Sequence, residues 1–461
     1  MTGNYINYAV GHNTKITDLS TLPPKTYTQN EFQQRIDAAT HGLLKLNLPN
    51  GSYIGILSNN SADYMVIFAG IKLAGHVAVP LNHKLSAEQL RPCLSNVVLV
   101  FGDQINGISN IPFGSAFEKF LDYTKFELPV LDHDRPCQCI YTSGSTGIPK
   151  GVIVSFAATM YRIQHSPTTK NAVSLSPNPF YHIAGLNWFE WTMVKPDQHL
   201  IISSTFNATQ FLKDIITYQP TELDMVPSMM SMLLKEIASV DLSFVINVRL
   251  RSSEVSEKLY HEIQQHFTHP ELSIVNPYGL TEVSNIFKQH PKNIPRPIGS
   301  VGYPHCDVKL VDGVLQVKSP GLFQSYNNKD NVLTKDGYFI TNDLFRVDDN
   351  GFYFYVGRAD DMFKSGGEKI YPKDIETVLL THSAVVEALV VGIEDDVKGY
   401  KPYAFVKISS TVTEQELIEY IANNMSTYQI PRRIYIVDKF PVNAIGKIDK
   451  SKLKSLVKEK L

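Results

Sequence analysis

The sequence predicts an α/β protein with a large N-terminal α/β domain and a small C-terminal α+β domain, and three observations carry that prediction. Short apolar runs alternate with helical patterns through the first three quarters of the chain, the texture changes to shorter elements from Gly351 onward, and 461 residues are too many for one ordinary core. A soft division at about 150 residues per domain gives about three units, which one large and one small domain also satisfy.

In chain order, Thr28-x-x-Glu31 is a capping box, and Phe32, Ile36, Ala39 and Leu43 follow at helical spacing. Tyr53-Ile-Gly-Ile-Leu57 reads as a buried strand, residues 62–73 as a helix, and Val77-Ala78-Val79 before Pro80 as the next strand, together one βαβ unit. The alternation recurs at 97–101, 200–203 and 272–275, which favours a mostly parallel sheet. Beyond Gly351, residues 374–380 look helical, 386–391 and 403–408 look like strands, Thr413-x-x-Glu416 caps a helix, and 434–437 is a further strand. The boundary is placed between residues 359 and 360, giving domains 1–359 and 360–461.

Charge is near balance, 43 Lys+Arg against 45 Asp+Glu, so a chain that coats nucleic acid is excluded. Four Cys cannot form a disulfide framework at this length, and Cys137-x-Cys139 lacks the second pair of a zinc site. Reduced thiols packed near a strand, in a cytoplasmic protein, is the plainer expectation. The longest apolar stretch, 64–80, is broken by Lys72 and His76 and falls short of a membrane span. The start lacks the basic and apolar segments of a signal peptide, and Glu459 spoils a peroxisomal ending.

The chemistry concentrates in Tyr141-Thr-Ser-Gly-Ser-Thr-Gly-Ile-Pro-Lys150-Gly151, where three Gly, four hydroxyls and one Lys fall within eleven residues after a probable strand. Glycines let backbone N–H groups converge on an anion, hydroxyls add donors and the Lys adds a point charge, which makes a phosphate cradle. It is not a Walker A loop, because Pro149 precedes Lys150 and Gly151 follows it. Further motifs follow in order: Pro179-Phe-Tyr-His182, Asn276-Pro-Tyr278-Gly-Leu-Thr281-Glu282, Thr341-Asn-Asp343, Gly357-Arg358-Ala-Asp360-Asp361, Lys364-Ser-Gly-Gly-Glu368 and Pro441-Val-Asn-Ala-Ile-Gly446-Lys447.

This ordered set, spanning about residues 28 to 455, resembles the adenylate-forming (AMP-binding) enzymes: acyl- and aryl-CoA synthetases, adenylation domains of peptide synthetases, and luciferases. The resemblance implies that a carboxylate attacks the α-phosphate of ATP, that pyrophosphate leaves, and that the acyl-AMP passes its acyl group to CoA. It implies an ATP site made of Thr142, Ser143, Gly144, Ser145, Thr146, Gly147, Lys150, Tyr278, Gly279, Thr281, Asp343 and Arg358. Tyr278 would stack on adenine and Asp343 would accept from the ribose hydroxyls, with Arg358 assisting. Glu282 would hold Mg²⁺, a hard cation that takes oxygen ligands. Lys447 matches the lysine that bridges carboxylate and ATP, and His182 the residue that gates the acyl pocket. Asp360 matches the hinge about which the small, mobile C-terminal domain swings, bringing Ser365, Gly366 and Gly367 over a CoA tunnel.

Singly, each residue has a blander reading: His182 and Tyr278 as core residues, Asp343 as a turn residue, Lys447 as one solvated Lys in a tail holding six. Their joint order favours the functional one. Phe180-Tyr-His182 has no Asp to pair an ammonium, which disfavours a free α-amino acid, and the 364–372 loop looks like that of CoA ligases, including the o-succinylbenzoate and fatty-acid or aryl types. Two alternatives stay open: a ligase that loads a carrier-protein thiol, and a catalytically weak nucleotide-binding relative. A homo-oligomer is compatible with the sequence, and the acid is not readable from it. Two departures stand out. Asn342 replaces the family's glycine in Thr-Gly-Asp, and Arg251-Ser252-Ser253 stands where a Gly-Gly or Gly-Ala pair is usual beside adenine and acyl group.

Overall fold

The computed structural model describes residues 8–142, 149–166, 169–237, 240–288, 291–292, 294–327, 332–441 and 448–459. The chain forms two compact units. The larger comprises residues up to 289 with 304–307 and 318–337, and the smaller comprises 290–303, 308–317 and 338–461.

The larger unit is built on two seven-stranded sheets. In one, Ser273–Val275, Asn247–Leu250, Glu222–Met225, Val173–Ser176, His199–Ile202 and Lys15–Asp18 run parallel in that spatial order, and Lys25–Tyr27 closes the edge antiparallel. In the other, Pro136–Thr142, Val77–Leu81, Tyr53–Leu57, Val97–Gly102 and Ser109–Ile111 run parallel, and Lys150–Ser155 and then Ser325–Tyr326 add antiparallel strands. Crossover helices alternate with the strands, as the apolar periodicity predicts. The helix Gln29–Lys45 starts on the expected capping box: Thr28 Oγ1 accepts from Glu31 N and Glu31 Oε2 accepts from Thr28 N. Such a cap stabilises by about 1 kcal/mol.

Helix Ala62–Leu73 is buried nearly all round, among Phe32, Phe101 and Trp188 in one core. Lys72, which breaks the apolar stretch in the sequence, is fully buried. Its Nζ pairs with Glu190 of the helix Ile183–Met193, and the same carboxylate accepts from Tyr8. A buried charge is tolerated when paired and hydrogen-bonded, so the interruption reflects a core ion pair and not a surface. The strand expected to stop before Pro80 continues to Leu81. Pro80 sits opposite Ile56, whereas Ala78, two residues upstream, bridges to Gln138 of the other neighbour, so the proline lies past that pairing.

The smaller unit carries the antiparallel pair Phe339–Val347 and Tyr353–Arg358 and a five-stranded sheet. Its hairpin Val385–Asp395 and Gly399–Ile408 is longer than the sequence pattern suggests, because its far end is polar. Tyr400, Lys401, Glu394 and Asp395 carry no apolar alternation, yet they pair across the strands and Lys401 salt-bridges Asp395. Helices Pro372–Thr381 and Glu414–Asn424 contribute Ile375, Leu379, Leu417 and Ile421 to a core with Val390 and Ala404. The Thr413 capping box forms as expected. Among the described residues, no helix is long and apolar enough to cross a membrane.

Candidate active site

In the larger unit the phosphate-loop motif begins on a strand and ends on one. Thr142 closes Pro136–Thr142, Lys150 opens Lys150–Ser155, and the two face each other in register. Ser143, Gly144, Ser145, Thr146 and Gly147 lie outside the described residues. The stem of the loop is locked by Asn327. Its Oδ1 accepts from Gly151 N at 3.0 Å, its own N donates to Gly151 O at 2.8 Å, and its Nδ2 donates to Tyr141 Oη at 3.2 Å.

Tyr326, next to it, joins two candidate residues that are far apart in sequence. Lys150 Nζ stands 5.7 Å from its ring centroid, and its hydroxyl donates to Glu282 Oε1 at 2.8 Å. The cation at the end of the cradle and the carboxylate proposed for Mg²⁺ thus share one scaffold side chain.

The turn bearing Thr281 and Glu282 is pinned from below by Arg162. This buried guanidinium donates from Nε to Gly321 O at 2.8 Å and from Nη2 to Thr281 O at 3.3 Å and Glu282 O at 3.0 Å. Burial pulls its pKa down to about 10, with partial compensation from Cys137 and Glu282. Phe323 N adds a 2.7 Å bond to Glu282 O. Gly279 pairs with Asn285 so closely to Ser284 that a Cβ would lie 2.3 Å from the Ser284 carbonyl oxygen. Any side chain there would displace the turn, which explains the glycine between Tyr278 and Thr281. Tyr278 itself meets Phe287 edge-on at 5.9 Å.

His182 is the N-cap of helix Ile183–Met193, and its Nδ1 accepts from Ala184 N at 3.3 Å. An accepting Nδ1 places the ring proton of a neutral imidazole on Nε2. Trp188 is 2% exposed within the core, and Met230 is fully buried in a second core.

The smaller unit holds the remaining candidates. Asp343 is buried and faces Arg358 across the strand pair, with Arg358 Nη1 at 3.1 Å from Asp343 Oδ1 and Nη2 at 3.3 Å from Asp360 Oδ2. Burial pulls the Arg358 pKa down, but Asp343 and then Asp360 outweigh it and the net shift is upward. Thr341 Oγ1 accepts from Asp343 N and donates to Leu315 O. Asn342 between them sits at φ 59°, a left-handed conformation that asparagine tolerates where the family places glycine. Gly366 and Gly367, at φ 58° and 93°, form a two-residue turn between Phe363–Ser365 and Glu368–Ile370, a connection open to glycine pairs. Ser365 is buried at its entry. Asp360 lies in a single turn of 3₁₀ helix, Ala359–Asp361, and Lys450 Nζ binds Asp361 at 2.5 Å. Lys447 lies outside the described residues.

Sequence reasoning missed Tyr326, Asn327 and Arg162, which lie outside the glycine-rich and charged motifs and act through folding alone. The cysteines behave as expected. Cys137 and Cys139 are buried free thiols in one strand, and burial pushes Cys139 up to about 12. Among the described residues no three His, Cys, Asp or Glu side chains gather as a metal site. Magnesium commonly needs only one or two protein carboxylates when phosphates supply the rest, so Glu282 alone fits that donor set.

Comparison with known proteins bears on these motifs. Residues 12–326 match the AMP-binding enzyme family, and residues 374–447 match the AMP-binding enzyme C-terminal domain. A 2-succinylbenzoate–CoA ligase of Bacillus cereus is 27% identical over 454 residues, covering 93% of each chain. That of Listeria monocytogenes is 29% identical over 450 residues, covering 93% of this chain and 94% of the relative. Among solved structures, o-succinylbenzoate CoA synthetase (MenE) from Bacillus subtilis with the acyl-adenylate OSB-AMP superposes with a TM-score of 0.82 at 26% identity, covering 93% of both chains. ATP-bound MatB from Rhodopseudomonas palustris shares the fold with a TM-score of 0.87 at 21% identity, covering 99% of this chain and 97% of that one.

Proposed function

The chain belongs to the AMP-binding enzyme family, and from that premise we propose that it is an ATP- and Mg²⁺-dependent acyl-CoA synthetase that activates a carboxylic acid as acyl-AMP and transfers the acyl group to CoA. The observation that carries this reading is the meeting of Lys150 and Glu282 on Tyr326. Adenylation moves negative charge onto pyrophosphate, and catalysis gains most from preorganised groups at the place where charge develops. In this reading Thr142 and Lys150 bind the β and γ phosphates, together with Ser143, Gly144, Ser145, Thr146 and Gly147. Glu282 holds the metal, which supplies charge neutralisation between the phosphates.

Thr281 lies beside the α-phosphate, Tyr278 and Gly279 line the adenine, and Asp343 with Arg358 takes the ribose. Lys447 bridges the acid and the α-phosphorus. His182 positions the acid, and its role as helix cap fixes the ring for that purpose. The second half-reaction uses Ser365, Gly366 and Gly367 for CoA, with residues 1–359 and 360–461 as the two moving parts and Asp360 as the hinge. The relatives named as 2-succinylbenzoate–CoA ligases support CoA as the acceptor. They also make an aryl dicarboxylic acid the first compound to try.

A panel of carboxylic acids should release pyrophosphate from ATP, give hydroxamates on trapping, and consume CoA. AMP formation without CoA consumption would reassign the protein as a ligase that loads a carrier-protein thiol, and ATP binding without turnover on any acid would leave a nucleotide-binding relative. Lys447→Ala should lower adenylation by about 100-fold or more while largely sparing thioesterification of a supplied acyl-adenylate. Equal losses in both halves would refute the role given to Lys447.

A further inference from the structure

The carboxyl ends of four adjacent parallel strands in the larger unit lead into candidate site loops. In spatial order these strands end at Val275, Leu250, Met225 and Ser176. The first leads to Tyr278, the last to His182, and the second to Arg251. In open α/β sheets such ends are where ligands bind. Arg251 is therefore placed between the adenine-side and acid-side candidates, in the segment where the sequence departs from a Gly-Gly or Gly-Ala pair.

A continuous row of hydrogen bonds holds it there. Arg251 N donates to Met225 O at 2.9 Å, and its Nε donates to Asp224 Oδ1 and Oδ2 at 2.8 and 2.6 Å. Asp224 is fully buried and also accepts from Asn178 Nδ2 at 2.9 Å. The Asn178 carbonyl accepts from Asn60 Nδ2 at 2.9 Å, and Asn60 Oδ1 accepts from Phe180 N at 2.8 Å, two residues before His182. On the other flank Asn276 Nδ2 donates to Leu250 O at 2.6 Å and Ser253 O at 2.8 Å, two residues before Tyr278. Ser252 completes the turn at φ 71°.

The use made of the guanidinium is unequal. Among the described residues its hydrogen bonds run from Nε alone, so the forked end of Nη1 and Nη2 is not committed to Asp224. The side chain keeps 12% exposure, and Cζ lies 5.8 Å from the ring of Trp191, in the helix that His182 caps. A guanidinium fixed along one edge and open at its fork is preorganised to take a carboxylate in bidentate fashion.

We propose that Arg251 is a specificity residue that receives the second anionic group of a dicarboxylic acid substrate, with Asp224 as the residue that positions it. This assignment rests on the acyl-CoA synthetase reading for its reaction, though not for its binding chemistry. Arg251 that merely neutralised Asp224 would affect all acids alike.

Binding is measured with straight-chain dicarboxylates and monocarboxylates of equal length, in the presence of an ATP analogue that cannot release pyrophosphate. Because Arg251→Met alone leaves a buried unpaired carboxylate, the decisive variant is Asp224→Asn with Arg251→Met, checked for native circular dichroism. The wild-type protein should bind at least one dicarboxylate about tenfold or more tightly than its monocarboxylate partner, a preference typical of a charge-assisted bidentate pair. The double variant should bring the two to within about twofold by weakening the dicarboxylate alone. A preference that survives in the variant, or is absent from the wild type, overturns the assignment. Selective dicarboxylate binding in that assay, with no thioester formed from the same acid when ATP and CoA are supplied instead of the analogue, would sink the CoA-ligase reading and leave Arg251 in place.

Discussion

In the larger unit, Arg162 is buried and spends its guanidinium on three backbone carbonyls beneath Glu282, while in the smaller unit Arg358 is 39% exposed on its side chain and is held to Asp343 and Asp360 by ion pairs. The same residue type is fixed by covered hydrogen bonds in one place and by partly solvated charge in the other. Buried bonds to backbone are costly to lose, whereas exposed ion pairs contribute about 0–1 kcal/mol and weaken with salt. The turn beneath the phosphate-binding candidates is therefore fixed by covered bonds, whereas Arg358, a ribose candidate, is held by a buried Asp343 on one side and by a solvated Asp360, the hinge candidate, on the other.

The strongest way to break this contrast is Arg162→Met. Three carbonyls would lose a donor in a dry site, while Glu282 O keeps its bond from Phe323 N, and we expect stability to fall by about 2 kcal/mol or more in urea unfolding, since each unsatisfied buried group costs roughly 1–3 kcal/mol. A loss below about 1 kcal/mol would mean that the buried framework is no firmer than the surface pairs. Tyr326→Phe is more selective. It deletes the 2.8 Å hydroxyl bond to Glu282 and keeps the ring beside Lys150. Adenylation should drop by about tenfold with stability changed by less than about 1 kcal/mol. An unchanged rate would show that Glu282 needs no orientation by Tyr326.

The residues in that contrast differ in how readable they are. Asp343, Glu282 and Lys150 stand in ordered motifs of glycine, hydroxyl and charge, so the sequence singles them out as candidates through the resemblance those motifs carry. Arg162 and Tyr326 are not, because a lone Arg in a helix and a Tyr after a loop look like many others until folding brings them to 281–282 and 150. The βαβ alternation of the larger unit was legible for the converse reason: buried parallel strands are nearly continuous apolar runs. The polar half of the hairpin Val385–Asp395 was invisible, since its pairing runs through Glu394, Asp395, Tyr400 and Lys401, with Lys401 bound to Asp395, instead of through an apolar period. Pairing at a distance, as between Lys72 and Glu190, is likewise absent from any local pattern.

Glu376 sharpens the contrast within the smaller unit, because its carboxyl is buried whereas Arg358 and Asp360 are partly solvated. Burial raises its carboxyl pKa, only partly offset by Lys373 and by the N–H of Val390, which donates to Oε1 at 3.0 Å. A folded pKa above the unfolded one favours the protonated form, so the contribution is full below the ordinary carboxylate value and is lost as pH rises through the folded value. Glu376→Gln keeps the acceptor and cannot ionise. Its stability relative to the parent should be near zero difference at about pH 4 and should increasingly favour the variant as pH rises to neutral. A difference that stays flat with pH would mean that Glu376 is ionised at no cost.

Lys450→Ala should do least. Its Nζ binds Asp361 at 2.5 Å, beside the hinge candidate Asp360, yet the two side chains are 38% and 32% exposed. Water screens such a pair and holding two long side chains together costs entropy, so the expected stability loss is below about 0.5 kcal/mol. That loss should shrink further as ionic strength is raised, because the Debye length falls to about 3 Å at 1 M salt. The helix Lys450–Lys458 keeps its own anchors in the buried Leu453 and Val457 and in the Asp449 cap, which do not depend on the pair. Urea unfolding at low and high salt reads the effect directly. A loss above about 2 kcal/mol that persists at high salt would place this contact with the buried framework and remove the distinction between the two units.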